Sequence, residues 1–211
     1  MERSPFPKTP QELRRHHREV RDAMTKKQAA DAARSICAQL GAAEWYRETL
    51  WIYGYYPLGR EADCLAFFER ALSDGKRVAL PRVETLCRED TDCRMDFYEV
   101  TSLTQVERGS FGVAEPLADC RSADAPDAVV LVPGVVFGLD GNRYGYGKGF
   151  YDRYFARFPQ YYRVGIAYEH QLEKTLLAKE TDVRMDCIYT ERQRYLPPER
   201  NGEAYGITGD L

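Results

Sequence analysis

The sequence predicts an α/β protein: a three-layer α/β/α sandwich with a mainly parallel central sheet and a small edge insertion. Short runs of β-branched and aromatic residues have the composition of buried strands. Amphipathic patterns with the period of a helix alternate with those runs along the chain. One run leads through a glycine-rich segment into a helical pattern, and parallel sheets bind ligands at such places, beyond the carboxyl ends of their strands.

The first helix has a clear start signal. Thr9, Pro10 and Glu12 have the spacing of an N-cap, a first helical residue and a capping-box partner, so a helix is expected from there to about Met24. Its arginines are expected mostly on a solvated face, and the adjacent histidines on the surface. The arginines are Arg14, Arg15, Arg18 and Arg21, and the histidines are His16 and His17.

The other elements follow from the same two periodicities. The expected strands are residues 49–56, 76–81, 94–100, 128–132, 162–167 and 187–190. The further expected helices are residues 27–40, 62–73 and 150–158. Residues 94–100 alternate apolar and polar side chains, which is typical of an edge strand, and residues 84–116 are expected to form the edge insertion. A single domain over residues 1–211 is expected, with 1–9 as a loose leader and 195–211 as a tail.

The segment between residues 132 and 150 is rich in glycine. Its glycines are Gly134, Gly138, Gly141, Gly145, Gly147 and Gly149. The alternation from Gly145 to Gly149 removes every second Cβ, so the backbone can turn tightly and approach an anion. A buried strand, a glycine-rich loop and a helix N-terminus in this order are typical of a phosphate site.

Three charged side chains near these glycines suit a phosphate and its metal ion. Arg143 offers a planar fork for phosphate oxygens, and Lys148 offers a mobile point charge. Asp152, in the first turn of the next helix, offers the carboxylate oxygen that Mg²⁺ prefers. The alternative interpretation is a surface loop whose Asp152 only complements the helix dipole. The two cations and the carboxylate together favour the phosphate site.

Composition excludes several classes of protein. The chain has 30 basic and 33 acidic residues and a net charge of −3, so no strong positive field would attract nucleic acid or anionic lipid. No apolar run approaches the roughly 20 residues of a membrane span, and the N-terminus lacks a signal-peptide core. A cytoplasmic protein is expected. Its 6 cysteines include no C-x-x-C pair, so reduced thiols are expected.

The glycine-rich segment resembles the signature of the 5-formyltetrahydrofolate cyclo-ligase family. PGVVF at 133–137 and DGNRYGYGKGFYDRY at 140–154 are similar to that family's pattern, approximately P-G-x-x-F-[DT]-x-x-G-x-R-[LI]-G-x-G-x-G-[YF]-Y-D. The segments at 75–81 and 111–116 also resemble the family, and the similarity extends from about Leu13 to Glu191.

The resemblance implies a reaction: ATP- and Mg²⁺-dependent closure of 5-formyltetrahydrofolate to 5,10-methenyltetrahydrofolate, through phosphorylation of the formyl oxygen and with release of ADP and phosphate. It implies that Arg143, Lys148 and Asp152 are catalytic, with Asp152 on the metal, and that Glu61, Met95 and Tyr151 contact the substrate. The implied ATP contacts are Arg14, Arg143, Gly145, Tyr146, Gly147, Lys148, Gly149, Phe150 and Tyr151.

The resemblance has one departure at the first helix, and two other functions stay open. The family carries a basic pair on this helix, whereas Pro10 occupies the first position here, with Lys8 nearby. A sugar-phosphate isomerase-like or CoA-transferase-like enzyme, or a nucleotide-binding regulatory module, would also use a glycine-rich phosphate loop on a parallel sheet. For the expected reaction the partner is a small-molecule substrate, with no nucleic acid or membrane, and a monomer is expected.

Overall fold

A computed structural model describes residues 9–85 and 93–198. The helices are α1 (Pro10–Asp22), α2 (Lys26–Ala42), α3 (Glu44–Glu48), α4 (Leu65–Ser73) and α5 (Phe150–Arg157). The strands are β1 (Trp51–Tyr53), β2 (Arg77–Thr85), β3 (Cys93–Val100), β4 (Val106–Arg108), β5 (Ala114–Pro116), β6 (Val129–Pro133), β7 (Val136–Gly138), β8 (Arg143–Tyr144), β9 (Tyr162–Ile166), β10 (Leu172–Glu173), β11 (Cys187–Tyr189) and β12 (Arg194–Tyr195). Single 3₁₀ turns cover Ser110–Gly112 and Glu169–Gln171.

The central sheet has seven strands in the order β12-β11-β9-β6-β1-β2-β3. The five inner strands run parallel, and the edge strands β12 and β3 are antiparallel to their neighbours. Alternate side chains of β6 enter two apolar clusters, with Leu131 in one and Val130 in the other. The first cluster packs against α2, α3 and α4, and the second contains residues of α5. The predicted α/β sandwich with a mainly parallel sheet is confirmed.

The start of α1 follows the predicted capping box. The Thr9 hydroxyl accepts a hydrogen bond from the N–H of Glu12 at 3.3 Å, and the Glu12 carboxylate accepts one from the N–H of Thr9 at 2.7 Å. These bonds satisfy two of the donors that a helix N-terminus leaves without partners. Residues 1–8, including Lys8, lie outside the described part of the chain, as do 86–92 of the expected loop and 199–211 of the expected tail.

Two predictions about irregular segments were wrong. The glycine-rich segment is not one long loop, because β7 and β8 form an antiparallel hairpin, which β10 joins as a parallel third strand. Gly141 makes the turn of this hairpin possible at a φ of 87°, where a side chain would be strained. The tail does not begin at residue 195, because Tyr195 pairs with Ile188 in the central sheet.

The edge insertion consists of β3 and a separate two-stranded sheet of β4 and β5. β3 pairs with β2 along its whole length, which confirms the predicted edge strand. The turn between β4 and β5 contains Phe111 at a φ of 57°, a conformation that non-glycine residues seldom adopt.

Gln171 fixes the start of the glycine-rich segment to the chain after β9. Its amide Nε2 donates to the carbonyls of Gly134 and Val135 at 2.9 and 3.0 Å. Its Oε1 accepts from the N–H of Tyr168 at 2.8 Å. The side chain is only 2% exposed, so water cannot replace these bonds.

Replacing Gln171 by Met is expected to lower the free energy of unfolding by about 3 kcal/mol, because three buried backbone groups lose their partners while the volume is kept. Urea denaturation measures the change. Gln11→Met, at an exposed position on α1, is the control and should change little. A loss below about 0.5 kcal/mol for Gln171→Met, the range of ordinary surface changes, would contradict the expectation.

Candidate functional site

The candidate site lies beyond the carboxyl end of β6, the strand between β9 and β1. After Pro133 the chain forms the β7–β8 hairpin, and residues 145–149 then lead directly into α5. The segment after β1 brings Glu61 to the same end of the sheet, and α1 covers the hairpin from outside through a cluster of Leu13, Val136 and Tyr144. We call residues 145–149 the glycine turn.

The backbone N–H groups of the glycine turn have no backbone acceptor in the described residues. Gly147 and Gly149 have φ values of 94° and 67°, and Gly149 is the N-cap of α5. Such N–H groups beside a helix N-terminus form a concave surface that suits an anion.

Arg143 lies beneath the glycine turn and is 8% exposed. Its Nη2 is 3.4 Å from Oδ1 of Asp152, and its guanidinium carbon is 5.4 Å from the centre of the Tyr151 ring. Its Nε is buried without a hydrogen-bond partner among the residues that the structure describes. A Cβ on Gly145 would approach Nη1 of Arg143 to 2.7 Å, so a glycine there leaves room for the guanidinium. The structure therefore brings Arg143, Asp152 and Tyr151 together.

Three arginines of α1 contact the glycine turn, whereas the sequence analysis placed only Arg14 at the site, as an ATP contact. Nε of Arg14 donates to the carbonyl of Gly145 at 2.8 Å. Arg18 lies over the Tyr146 ring at 5.3 Å, and Nη2 of Arg21 donates to the Tyr146 hydroxyl at 3.1 Å. The expected solvated face was wrong for Arg21, which is buried, and for Arg18, which is half-buried. The spacing of Arg14, Arg18 and Arg21 on one helix face was the signal that could have revealed this.

Glu61 is buried on the inner side of Tyr146. Its Oε2 accepts from the N–H of Leu58 at 2.8 Å. Burial raises the pKa of its carboxyl above the ordinary 4.5, and this rise is opposed by the Leu58 N–H, the charge of Arg21, the Tyr146 hydroxyl and the charge of Arg143. Burial, then the negative charge of Glu61, raises the pKa of both tyrosine hydroxyls, at 146 and at 151. These hydroxyls stay protonated near neutral pH and can donate hydrogen bonds.

Replacing Glu61 by Gln is expected to stabilise the fold at pH 7. The pKa of Glu61 is higher in the folded than in the unfolded chain, so between these two pKa values the folded chain binds more protons. The contribution of Glu61 to the free energy of unfolding of the wild type therefore falls as the pH rises through that interval. Glu61→Gln lacks this loss, so its advantage should appear above the interval and vanish below about pH 4. Urea denaturation at several pH values tests this, with Glu48→Gln at an exposed site as the control. A variant that is less stable than the wild type at pH 7 would refute it.

Lys148 and Phe150 lie at the outer rim of the turn. The Lys148 ammonium is 5.1 Å from the centre of the Phe111 ring, and the Phe111 and Phe150 rings are 5.7 Å apart. Lys148 is exposed, so its ammonium can move toward a bound anion.

Met95 is buried in the second apolar cluster, against which Phe150 and Tyr151 pack. Its predicted contact with the substrate stays a prediction.

His17 contradicts the expectation of a surface residue. It is buried, with Nδ1 at 2.8 Å from the carbonyl of His170 and Nε2 at 3.0 Å from Oε1 of Glu173. Both partners lie more than 150 residues away in the sequence, so local patterns could not reveal them. His17 thus fixes α1 against the chain that follows β9, while His16 is exposed as expected.

The donor set fits a metal-bound nucleotide better than a metal held by protein alone. Within residues 9–85 and 93–198, no three His, Cys, Asp or Glu side chains lie close enough together to hold a metal ion. Oδ1 of Asp152 also accepts from the N–H of Val183 at 3.3 Å, which orients the carboxylate. Mg²⁺ is commonly bound by one or two carboxylates with phosphate oxygens and waters, and Asp152 supplies one such carboxylate.

A separate cavity of about 580 Å³ opens between α2 and the turn after β11. Its lining includes Gln28, Ser35 and His170 but no residue of the glycine turn. Cavity volume therefore does not single out the candidate site. The buried arginine N–H groups that lack acceptors in the described residues do, because they belong to Arg18, Arg21 and Arg143, which do not line this cavity. No helix in the described ranges has the length and apolar character needed to cross a membrane.

The fold and the site define an α/β protein with a glycine turn at the N-terminus of a helix, an arrangement that suits an anion. The model of the 5-formyltetrahydrofolate cyclo-ligase family matches residues 8–191. The chain therefore belongs to the 5-formyltetrahydrofolate cyclo-ligase family, as its sequence pattern predicted.

Individual relatives agree with this assignment. The probable 5-formyltetrahydrofolate cyclo-ligase of Caenorhabditis elegans is 24% identical over 193 residues, which cover 85% of this chain and 91% of the relative. The 5-formyltetrahydrofolate cyclo-ligase of Saccharomyces cerevisiae is 32% identical over 133 residues, covering 54% and 63%. The NMR structure of Aquifex aeolicus 5,10-methenyltetrahydrofolate synthetase has a TM-score of 0.77 at 24% identity and covers 95% of this chain and 99% of its own. The predicted enzyme class is confirmed.

Proposed function

We propose that this enzyme closes 5-formyltetrahydrofolate to 5,10-methenyltetrahydrofolate in a reaction that needs ATP and Mg²⁺ and releases ADP and phosphate. Membership of the family supports the cyclo-ligase activity itself. One observation supports an anionic co-substrate such as ATP: buried N–H groups of Arg18, Arg21 and Arg143 lack acceptors within the described part of the chain. Buried donors without partners are costly, and an anion with several oxygens would satisfy them.

Bound ATP would supply the phosphoryl group that converts the formyl oxygen into a leaving group, so that a neighbouring amine of the substrate can close the ring. The protein contributes positioning and charge neutralisation. The N–H groups of Gly145, Gly147 and Gly149 would hold phosphate oxygens. Arg143 and Lys148 would neutralise charge as it moves onto the leaving ADP.

The remaining predicted residues complete the site. Arg14 orients the glycine turn through the Gly145 carbonyl, and its charge also favours the nucleotide. Tyr146 and Phe150 would border the nucleotide, and Asp152 would bind Mg²⁺. On the substrate side we place the Glu61 carboxylate, the Tyr151 hydroxyl and Met95.

The proposal includes a monomeric enzyme of the cytoplasm whose partner is a small molecule. Its net charge of −3 gives no reason to expect nucleic acid or a membrane surface as a partner.

The test is the formation of the methenyl product, followed by its absorbance, with ATP and Mg²⁺ added or withheld. The expected result is product only when both are present, with one ADP released per product. Product formed equally well without ATP would refute the ATP-dependent reaction. ADP release that does not depend on 5-formyltetrahydrofolate would refute the coupling of ATP cleavage to ring closure. Nucleotide binding without any ADP release would favour a nucleotide-binding module instead.

A further inference from the structure

Arg21 is a buried cation whose hydrogen-bonding capacity is mostly unused. It is 4% exposed, and its Nη2 donates to the Tyr146 hydroxyl at 3.1 Å. Its Nη1 and Nε have no hydrogen-bond partner among the residues described. The Asp22 carboxylate is 3.9 Å from Nε, too far for a hydrogen bond. A guanidinium in this state fits a site that an anionic ligand completes.

Arg21 lies where the nucleotide side of the site meets the substrate side. Through Tyr146 it contacts the glycine turn. The segment that carries Glu61 is held against the end of α1, because Arg60 donates to the carbonyl of Met24. The charge of Arg21 and the Tyr146 hydroxyl both act on the Glu61 carboxylate. A group passed from nucleotide to substrate has to occupy this junction.

We propose that Arg21 binds the terminal phosphoryl group of ATP, the group that is transferred, and that Tyr146 is a positioning residue that holds its guanidinium. This inference rests on the proposed function. As the bond from phosphorus to the ADP oxygen breaks and the bond to the formyl oxygen forms, the electron pair leaves with ADP. Arg21 donates hydrogen bonds to the equatorial oxygens of the group in transit.

Arg14 cannot take this role. Seven residues of helix separate the two arginines by about 10 Å along the axis. Nε of Arg14 is already bound to the Gly145 carbonyl. Arg14 would therefore contact a part of the nucleotide away from the transferred phosphoryl group, and Arg21 would contact that group itself.

The test compares the affinities of ATP and ADP, with Mg²⁺ present, by titration calorimetry on the full chain. Arg21→Gln is expected to weaken ATP binding by about tenfold or more and ADP binding by less than about twofold, because only ATP carries the group that Arg21 contacts. kcat should fall as well. Arg15→Gln, at an exposed site on the same helix, should change neither affinity.

Tyr146→Phe keeps the inference testable if Arg21→Gln does not fold, because Tyr146 is 40% exposed and its loss should leave the fold intact. It should shift the ratio of the two affinities in the same direction by a smaller factor. Equal losses of ATP and ADP affinity, or no loss, in the variants that fold would overturn the role of Arg21 while the ATP-dependent reaction stands. A wild-type chain that binds neither nucleotide would refute the proposed function itself.

Discussion

Replacing Arg143 by Ala is expected to lower kcat/KM for methenyl formation by about 10- to 150-fold, the effect of losing a charge-assisted contact of about 1.5–3 kcal/mol in the transition state. Arg143 is buried beneath the glycine turn with an Nε that has no hydrogen-bond partner in the described residues. Its removal would also leave the Asp152 carboxylate without its nearby cation at 3.4 Å. Initial rates over a range of ATP concentrations measure the change.

Two further variants separate chemistry from folding. Arg143→Lys keeps the charge but not the planar fork, so its activity should lie between those of Arg143→Ala and the wild type. Arg34→Ala removes an exposed arginine on α2 that pairs with Asp31 of the same helix, and it should leave the rate unchanged. If Arg143→Ala folds normally and retains a rate within twofold of the wild type, Arg143 has no part in the reaction.

Replacing Asp152 by Asn is expected to raise the Mg²⁺ concentration for the half-maximal rate by at least about tenfold. The amide keeps the shape of the side chain and can still accept from the N–H of Val183. It loses the charge that Mg²⁺ needs from its single predicted protein ligand. Rates measured in a Mg²⁺ titration at saturating ATP report the effect.

The control for Asp152 is Asp119→Asn, an exposed carboxylate beyond β5 and outside the candidate site. It should leave the Mg²⁺ dependence unchanged. An Asp152→Asn enzyme with the wild-type Mg²⁺ requirement would show that the metal is bound elsewhere.

Local sequence signals were enough to predict the elements of the sandwich. The start of α1 is encoded by Thr9 and Glu12, whose side chains and backbones bond to each other. The strand β6 is an apolar run of mostly β-branched residues that pack on both faces of the sheet. In α1 the interacting residues are only three positions apart in the sequence. In β6 the amino-acid composition of the run is itself the signal.

Features that depend on distant partners could not be predicted in this way. β10 pairs with β7 although about 35 residues separate them, so the glycine-rich segment appeared to be one loop. His17 and Arg21 appeared exposed because helix α1 is largely polar, whereas their partners come from beyond residue 140. The part of the candidate site that lies in the continuous glycine-rich segment was predicted. The contribution of Arg18 and Arg21 from α1 was missed.

Because α1 lies outside the central sheet, the candidate site is complete only when α1 packs against the rest of the protein. All seven strands of that sheet come from Trp51 and the residues that follow it, while three arginines that contact the glycine turn come from α1. The strands of the central sheet and the arginines that complete the site therefore come from separate parts of the chain. A chain shortened to begin at Met24 would keep the residues of every strand in the central sheet but would lack Arg14, Arg18 and Arg21 at the glycine turn. A separate peptide that spans α1 would have to bind to the shortened chain to restore these three arginines.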